Sequence, residues 1–175
     1  MDLLTLAVLC GPMVDPAMTL RVISVESAGH AFAVHDNTSG NAYEPETAAA
    51  AVNVANSLIR AGHRIDLGLM QINYDAWLRP VGVSLAQALD PCTNIRFGTT
   101  LLSANYTHAL AQSRSPSDAL KRALSEYNSG SESRSYSYAV KILSGRTDLK
   151  LLRLQVPRNQ NSNAPASGFL NDPPR

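Results

Sequence analysis

The chain has 175 residues, enough for one domain with its own core, and 45% of them are hydrophobic, as in ordinary globular proteins. A formal net charge of +1 excludes the basic footprint of a nucleic-acid binder, and no run approaches the ~20 consecutive apolar residues of a membrane span. Aromatic residues are few, at 6%, and alanine is abundant, which favours helices over a β-sandwich.

In chain order, Met1 to Leu9 is apolar but short and lacks the basic flank of a signal peptide, so it reads as a first helix. Asp15-Pro16 is an N-cap followed by proline at the first helical position, and Leu20, Ile23 and Glu26-Ser27 share the stripe behind it. Gly29 stands where a helix-ending glycine belongs. Residues 31–43, with Asp36 to Asn41 at their centre, read as a short hairpin or loop. Glu44-Pro45-Glu46 is expected to open a second long helix, with Val52, Ala55 and Ile59 inward and Gly62 at its end.

Residues 66–73 fit neither the helical nor the strand period. A short helix is expected over Tyr74 to Leu78, stopped by Pro80. Asp90-Pro91 repeats the capping signal and launches about twenty helical residues, with Ile95, Leu102, Tyr106 and Ala109 inward. Ser115-Pro116 starts another helix on Leu120, Leu124 and Tyr127, and a last one runs from Ser135 to Ser144. The expected domain is residues 1–156, mainly α with a small β-hairpin or irregular element. Beyond it, the polar Pro157 to Arg175 is expected to be a disordered tail.

The residues that could carry chemistry are few. Glu26 lies i+3 from Ile23 on an apolar stripe, where desolvation raises a carboxyl pKa and makes a general acid; the alternative is an exposed glutamate at a helix end. Gly68-Leu69-Met70-Gln71-Ile72-Asn73 mixes a glycine with two amides, and amides both donate and accept hydrogen bonds to sugars. Tyr127 ends a buried stripe, so its hydroxyl needs a partner: a carboxyl such as Glu26, or a backbone carbonyl. Cys10 and Cys92 are read either as one disulfide or as two unrelated buried thiols.

Four scattered histidines (His30, His35, His63 and His108) offer no ligand pair at helical spacing, so no metal is expected. No serine-nucleophile elbow and no phosphate-cradling loop is present, and no cofactor is expected.

At Val25-Glu26-Ser27-Ala28-Gly29, Gly68 to Asn73 and Ser125-Glu126-Tyr127-Asn128-Ser129-Gly130 the chain resembles the soluble lytic transglycosylases, which share the goose-type lysozyme fold. Cys10-Gly11-Pro12, Asp15-Pro16 and Asp90-Pro91-Cys92-Thr93-Asn94 narrow the resemblance to the specialised lytic transglycosylases of type IV secretion and conjugation systems. The resemblance implies a lysozyme-like fold, a Cys10–Cys92 disulfide and a periplasmic home.

It also implies cleavage of peptidoglycan glycan strands to 1,6-anhydro products, with Glu26 as the single catalytic acid and base. Ser27, Met70, Gln71, Tyr127 and Asn128 are implied to bind substrate, with Tyr127 on Glu26. Ala28, where many relatives carry glycine, is expected to be inconsequential. Type IV secretion components are the further partners it implies, and a monomer is expected. Hydrolysis would need a second carboxylate, for which Asp36 is preferred over Asp66 and Glu126. The readings from other classes are a muramidase and a non-catalytic wall-binding or assembly protein that kept the fold.

Overall fold

A computed structural model of the chain describes residues 1–145. The expected domain end at residue 156 and the tail over 157–175 lie outside the described residues.

Helices start where side chains can satisfy their free N–H groups. Asp2 caps α1 (Leu3–Cys10), and Asp15 caps α2 (Pro16–Glu26) by accepting from the Ala17 and Met18 amides. The second long helix, α3 (Ala48–Arg60), begins later than Glu44-Pro45-Glu46 indicated, because Thr47 is the residue whose side chain accepts from the Ala50 amide. Ser84 and Gln87 form a reciprocal capping box on the one-turn α4 (Leu85–Ala88), which the sequence reading did not anticipate. Asp90 caps α5 (Pro91–Leu110), Ser115 caps α6 (Pro116–Ser129), and α7 (Tyr136–Ser144) follows.

The element after α2 is a four-stranded antiparallel sheet of order β2-β1-β3-β4, larger than the expected hairpin. Its strands are β1 (Val34–Asp36), β2 (Ala42–Tyr43), β3 (Ile65–Leu67) and β4 (Ile72–Asn73). His35 stands opposite both Ala42 and Asp66, and Asp66 stands opposite Asn73. Alternation puts Val34, Ile65, Leu67 and Ile72 into the core and turns His35, Asp66 and Asn73 to the other face. β4 runs into a single wide turn, Tyr74–Leu78, and the chain continues through Pro80 in a tighter turn, Arg79–Val81.

The core gathers Leu3 and Leu6 of α1, Leu20 and Ile23 of α2, Ile95 and Leu102 of α5, Leu124 of α6 and Ile142 of α7 around Leu67, Leu69 and Met70. Cys10 at the end of α1 is disulfide-bonded to Cys92 in the first turn of α5, with 5.2 Å between their Cα atoms. Among the described residues no helix is long and apolar enough to cross a membrane.

Helix α2 ends in a strained step. Ser27 is its C-cap, and both Ala28 (φ 51°) and Gly29 (φ 88°) are left-handed. Ala28 is therefore not inconsequential: its Cβ costs about 1–2 kcal/mol in that region, a cost that glycine does not carry.

The bridge closes a loop of 82 residues between α1 and α5. Replacing both cysteines with serine is expected to lower unfolding free energy by roughly 4 kcal/mol, read from urea unfolding as a lower midpoint with a steeper slope, because the unfolded chain is no longer cross-linked.

Candidate active site

A cleft runs between the helical part and the small sheet. It has two arms, one of about 470 Å³ and one of about 260 Å³, and both are lined by Glu26, Asn37, Asp66, Gln71 and Asn128. These five residues form the waist where the arms meet. Ser24, His35, Tyr43 and Glu44 line the larger arm, and Asn73, Trp77, Leu101 and Tyr127 line the smaller.

Glu26 is the last residue of α2. Burial raises its carboxyl pKa to about 7; the Tyr138 hydrogen bond opposes this, the Asp66 charge adds to it, and Lys141 lowers it. The Tyr138 hydroxyl donates to Glu26 Oε1. Glu26 is thus a carboxylic acid that keeps its proton up to about neutral pH, held in one orientation at the waist.

The tyrosine on Glu26 is therefore Tyr138 of α7, not Tyr127. Tyr127 takes the other partner open to it: its hydroxyl donates to the Met70 carbonyl at 2.8 Å. Tyr138 lies on a helix whose buried stripe includes Ala139 and Ile142, so its spacing resembles that of a core tyrosine. The site's reach into α7 depends on Ser125, which is fully buried, donates to the Ser131 carbonyl and accepts from the Ser135 amide, tying the end of α6 to the start of α7.

Ser27 and Met70 likewise support the turn, and Ser27 also lines the larger arm. The Ser27 hydroxyl donates to the Leu69 carbonyl at 2.8 Å and makes no bond to Glu26. Met70 is fully buried, packed so closely on α5 that a Cβ at Gly98 would meet its sulfur at 2.5 Å, and it does not line the cleft. Of the five expected contacts, Gln71 and Asn128 line both arms, Ser27 lines only the larger, Tyr127 only the smaller and Met70 neither. Gln71 adopts φ 48°, and its amide nitrogen donates to the Gly68 carbonyl at 2.8 Å, leaving its oxygen free of an assigned donor among the described residues.

The turn that carries Met70 and Gln71 is held by a side chain quoted above only within a motif. Asn94 of α5 is buried; its Oδ1 accepts from the Met70 amide at 2.8 Å, and its Nδ2 donates to the Leu67 and Ala88 carbonyls.

The second carboxylate at the waist is Asp66, not Asp36. Asp36 shares the buried face of β1 with Val34, where it accepts from Ser39, the Thr38 amide and the His63 ring at 2.7 Å. Burial raises its pKa, but these hydrogen bonds outweigh it and hold the carboxyl below its ordinary range. Asp66 accepts from Asn73 Nδ2 at 2.7 Å; burial pushes its pKa up, partly offset by Asn37, Asn73 and His35. Glu126 does not line either arm.

A helical body, a small antiparallel sheet and one protonated carboxylic acid at the waist of a polar cleft between them define a lysozyme-like domain. A family model described as the transglycosylase SLT domain matches residues 6–141, and the chain belongs to that family. It is 36% identical over 124 residues to Protein virB1 of Agrobacterium fabrum, covering 69% of this chain and 49% of that relative. It is 32% identical over 129 residues to the type IV secretion system protein virB1 of Brucella abortus, covering 73% of this chain and 53% of that relative. The chain spans about half the length of these curated relatives. No solved structure matches it.

The electrostatics give a titration to measure. With the Glu26 carboxyl carbon followed by NMR, the proton should leave near pH 7. Tyr138→Phe removes a hydrogen bond to the charged form, so the midpoint rises. Asp66→Asn removes a negative neighbour, so it falls. Tyr127→Phe leaves it in place, since that hydroxyl is bonded to Met70. A midpoint that follows Tyr127 instead would reverse the assignment of the two tyrosines.

Proposed function

We propose that the chain is a peptidoglycan lytic transglycosylase, cleaving the β-1,4 bond between N-acetylmuramic acid and N-acetylglucosamine and leaving 1,6-anhydro ends. The observation that carries this reading is Glu26: one carboxylic acid, kept protonated near neutral pH, at the waist of a cleft lined by amides.

The neutral Glu26 donates its proton to the glycosidic oxygen as the C1–O bond breaks. The leaving sugar departs with a hydroxyl, and positive charge develops at C1 of the muramoyl ring. The Glu26 carboxylate then accepts the proton of that ring's own C6 hydroxyl as its oxygen bonds to C1. The acid is regenerated and no water is consumed. Tyr138 holds the carboxyl in place through both steps, and its hydrogen bond strengthens as Glu26 becomes charged. Asn128, Asn37 and the Gln71 oxygen are suited to the sugar's hydroxyl and acetamido groups.

The disulfide fits an oxidising compartment, so the periplasm is the proposed location. The Brucella abortus relative is named a type IV secretion system protein virB1 and the Agrobacterium fabrum relative shares the name virB1, and local opening of the wall for such an apparatus is the proposed role.

Asp66 supports a second reading. With Glu26 it places two carboxylates at the waist, the arrangement of a hydrolytic muramidase. Mass spectrometry of soluble fragments from purified peptidoglycan separates the two. Transglycosylation gives products one water lighter than reducing-end sugars, and Glu26→Gln lowers their release about a thousandfold. Reducing-end products instead would establish hydrolysis, and release by Glu26→Gln at the wild-type rate would remove Glu26 from the chemistry.

A further inference from the structure

Trp77 is the chain's only tryptophan, and it is 51% exposed although large apolar side chains gain from burial. It is held out rather than left loose. The wide turn that carries it is anchored next door by Leu78, which is fully buried. Asn73 fixes the turn's start twice, with Oδ1 accepting from the Ala76 amide at 2.9 Å and Nδ2 donating to Asp66 at 2.7 Å. Asp75 and Arg79 pair across the turn at 3.1 Å. The Ala76 amide is linked through Asn73 to Asp66 at the waist, and Trp77 beside it presents its indole to the smaller arm and not to the larger.

That arm is otherwise rich in groups for a sugar's edges: Asp66, Gln71, Asn73 and Asn128 supply carboxylate and amides. A pyranose in a β-1,4-linked strand also has faces made of axial C–H groups, which hydrogen-bonding side chains cannot cover. An indole ring covers such a face while its N–H stays wet. The indole and the amides are therefore complementary halves of one binding surface, and the larger arm has Tyr43 but no indole.

We propose that Trp77 is a stacking platform for one N-acetylhexosamine of the glycan strand, in the arm of about 260 Å³, on one side of the bond that Glu26 protonates. The proposal rests on the glycan-cleaving reading above and adds a specific subsite to it. Because stacking acts alike on bound substrate and transition state, its loss falls on KM and spares kcat.

A single tryptophan makes the test direct. Glu26→Gln protein, which binds without cleaving, is titrated with peptide-free glycan strands prepared by amidase digestion, with intrinsic fluorescence and calorimetry read in parallel. The expected result is a saturable spectral shift and protection from acrylamide quenching that track the calorimetric isotherm. In the same background Trp77→Ala weakens binding about tenfold, and Trp77→Phe recovers part of that. In the active enzyme Trp77→Ala raises KM by a like factor while kcat stays within about twofold. Calorimetric binding with no fluorescence change and unchanged affinity in Trp77→Ala would overturn the platform while leaving the glycan cleft intact. No binding by calorimetry would overturn both the platform and the glycan reading.

Discussion

The backbone of the Gly68–Gln71 turn is buried in the core, and buried peptide groups must find partners or cost about 1–3 kcal/mol each. The turn is too tight for a strand to pair with it, so side chains from three helices do so. Ser27, the C-cap of α2, bonds the Leu69 carbonyl, Asn94 of α5 bonds the Leu67 carbonyl and the Met70 amide, and Tyr127 of α6 bonds the Met70 carbonyl. The Gly68 amide reaches the Ala33 carbonyl at 2.8 Å. Gly68 itself is required: its φ is 77°, and a Cβ there would lie 2.5 Å from Asn94 Nδ2. Residues that look like substrate contacts in the sequence are in large part the scaffold of this turn.

The scaffold matters because it sets both walls of the waist at once. The residue after Glu26 is tied to the turn, so the carboxyl and the Gln71 amide keep a fixed relation. The third side of the waist comes from α7, through Tyr138, and from β3, through Asp66. Glu26 is an acid near neutral pH because burial outweighs the tyrosine, and the nearby carboxylate pushes the same way. The geometry thus supplies one proton at one place, which is what a reaction with an internal nucleophile requires.

Much of the fold could be read from caps. Asp15-Pro16, Asp90-Pro91 and Ser115-Pro116 each mark a helix start, and the hairpin after α2 and the Cys10–Cys92 pairing are present. The strands β3 and β4 were not legible, because three and two residues are too few to show a period of two. The choice of Asp36 over Asp66 went wrong on a signal that was available. Asp36 is two residues from Val34 and shares its inward face, whereas Asp66 is flanked by Ile65 and Leu67 and faces the opposite way. Tyr138 could not be found by such parity, since its partner lies 112 residues away and depends on how α7 docks. Asn94 was hidden similarly: a polar residue in a helix's first turns ordinarily faces water, and only the turn above it makes it a core residue.

Native-state hydrogen exchange at the Gly68 and Met70 amides is the most direct probe of the side-chain scaffold. Held by Ala33 and Asn94, both should exchange only through global unfolding, as slowly as the core of α5, and Asn94→Ala should free Met70 selectively. Exchange of both amides at the rate of an exposed loop in the wild-type protein would contradict the scaffold, and with it the fixed placement of Gln71 opposite Glu26.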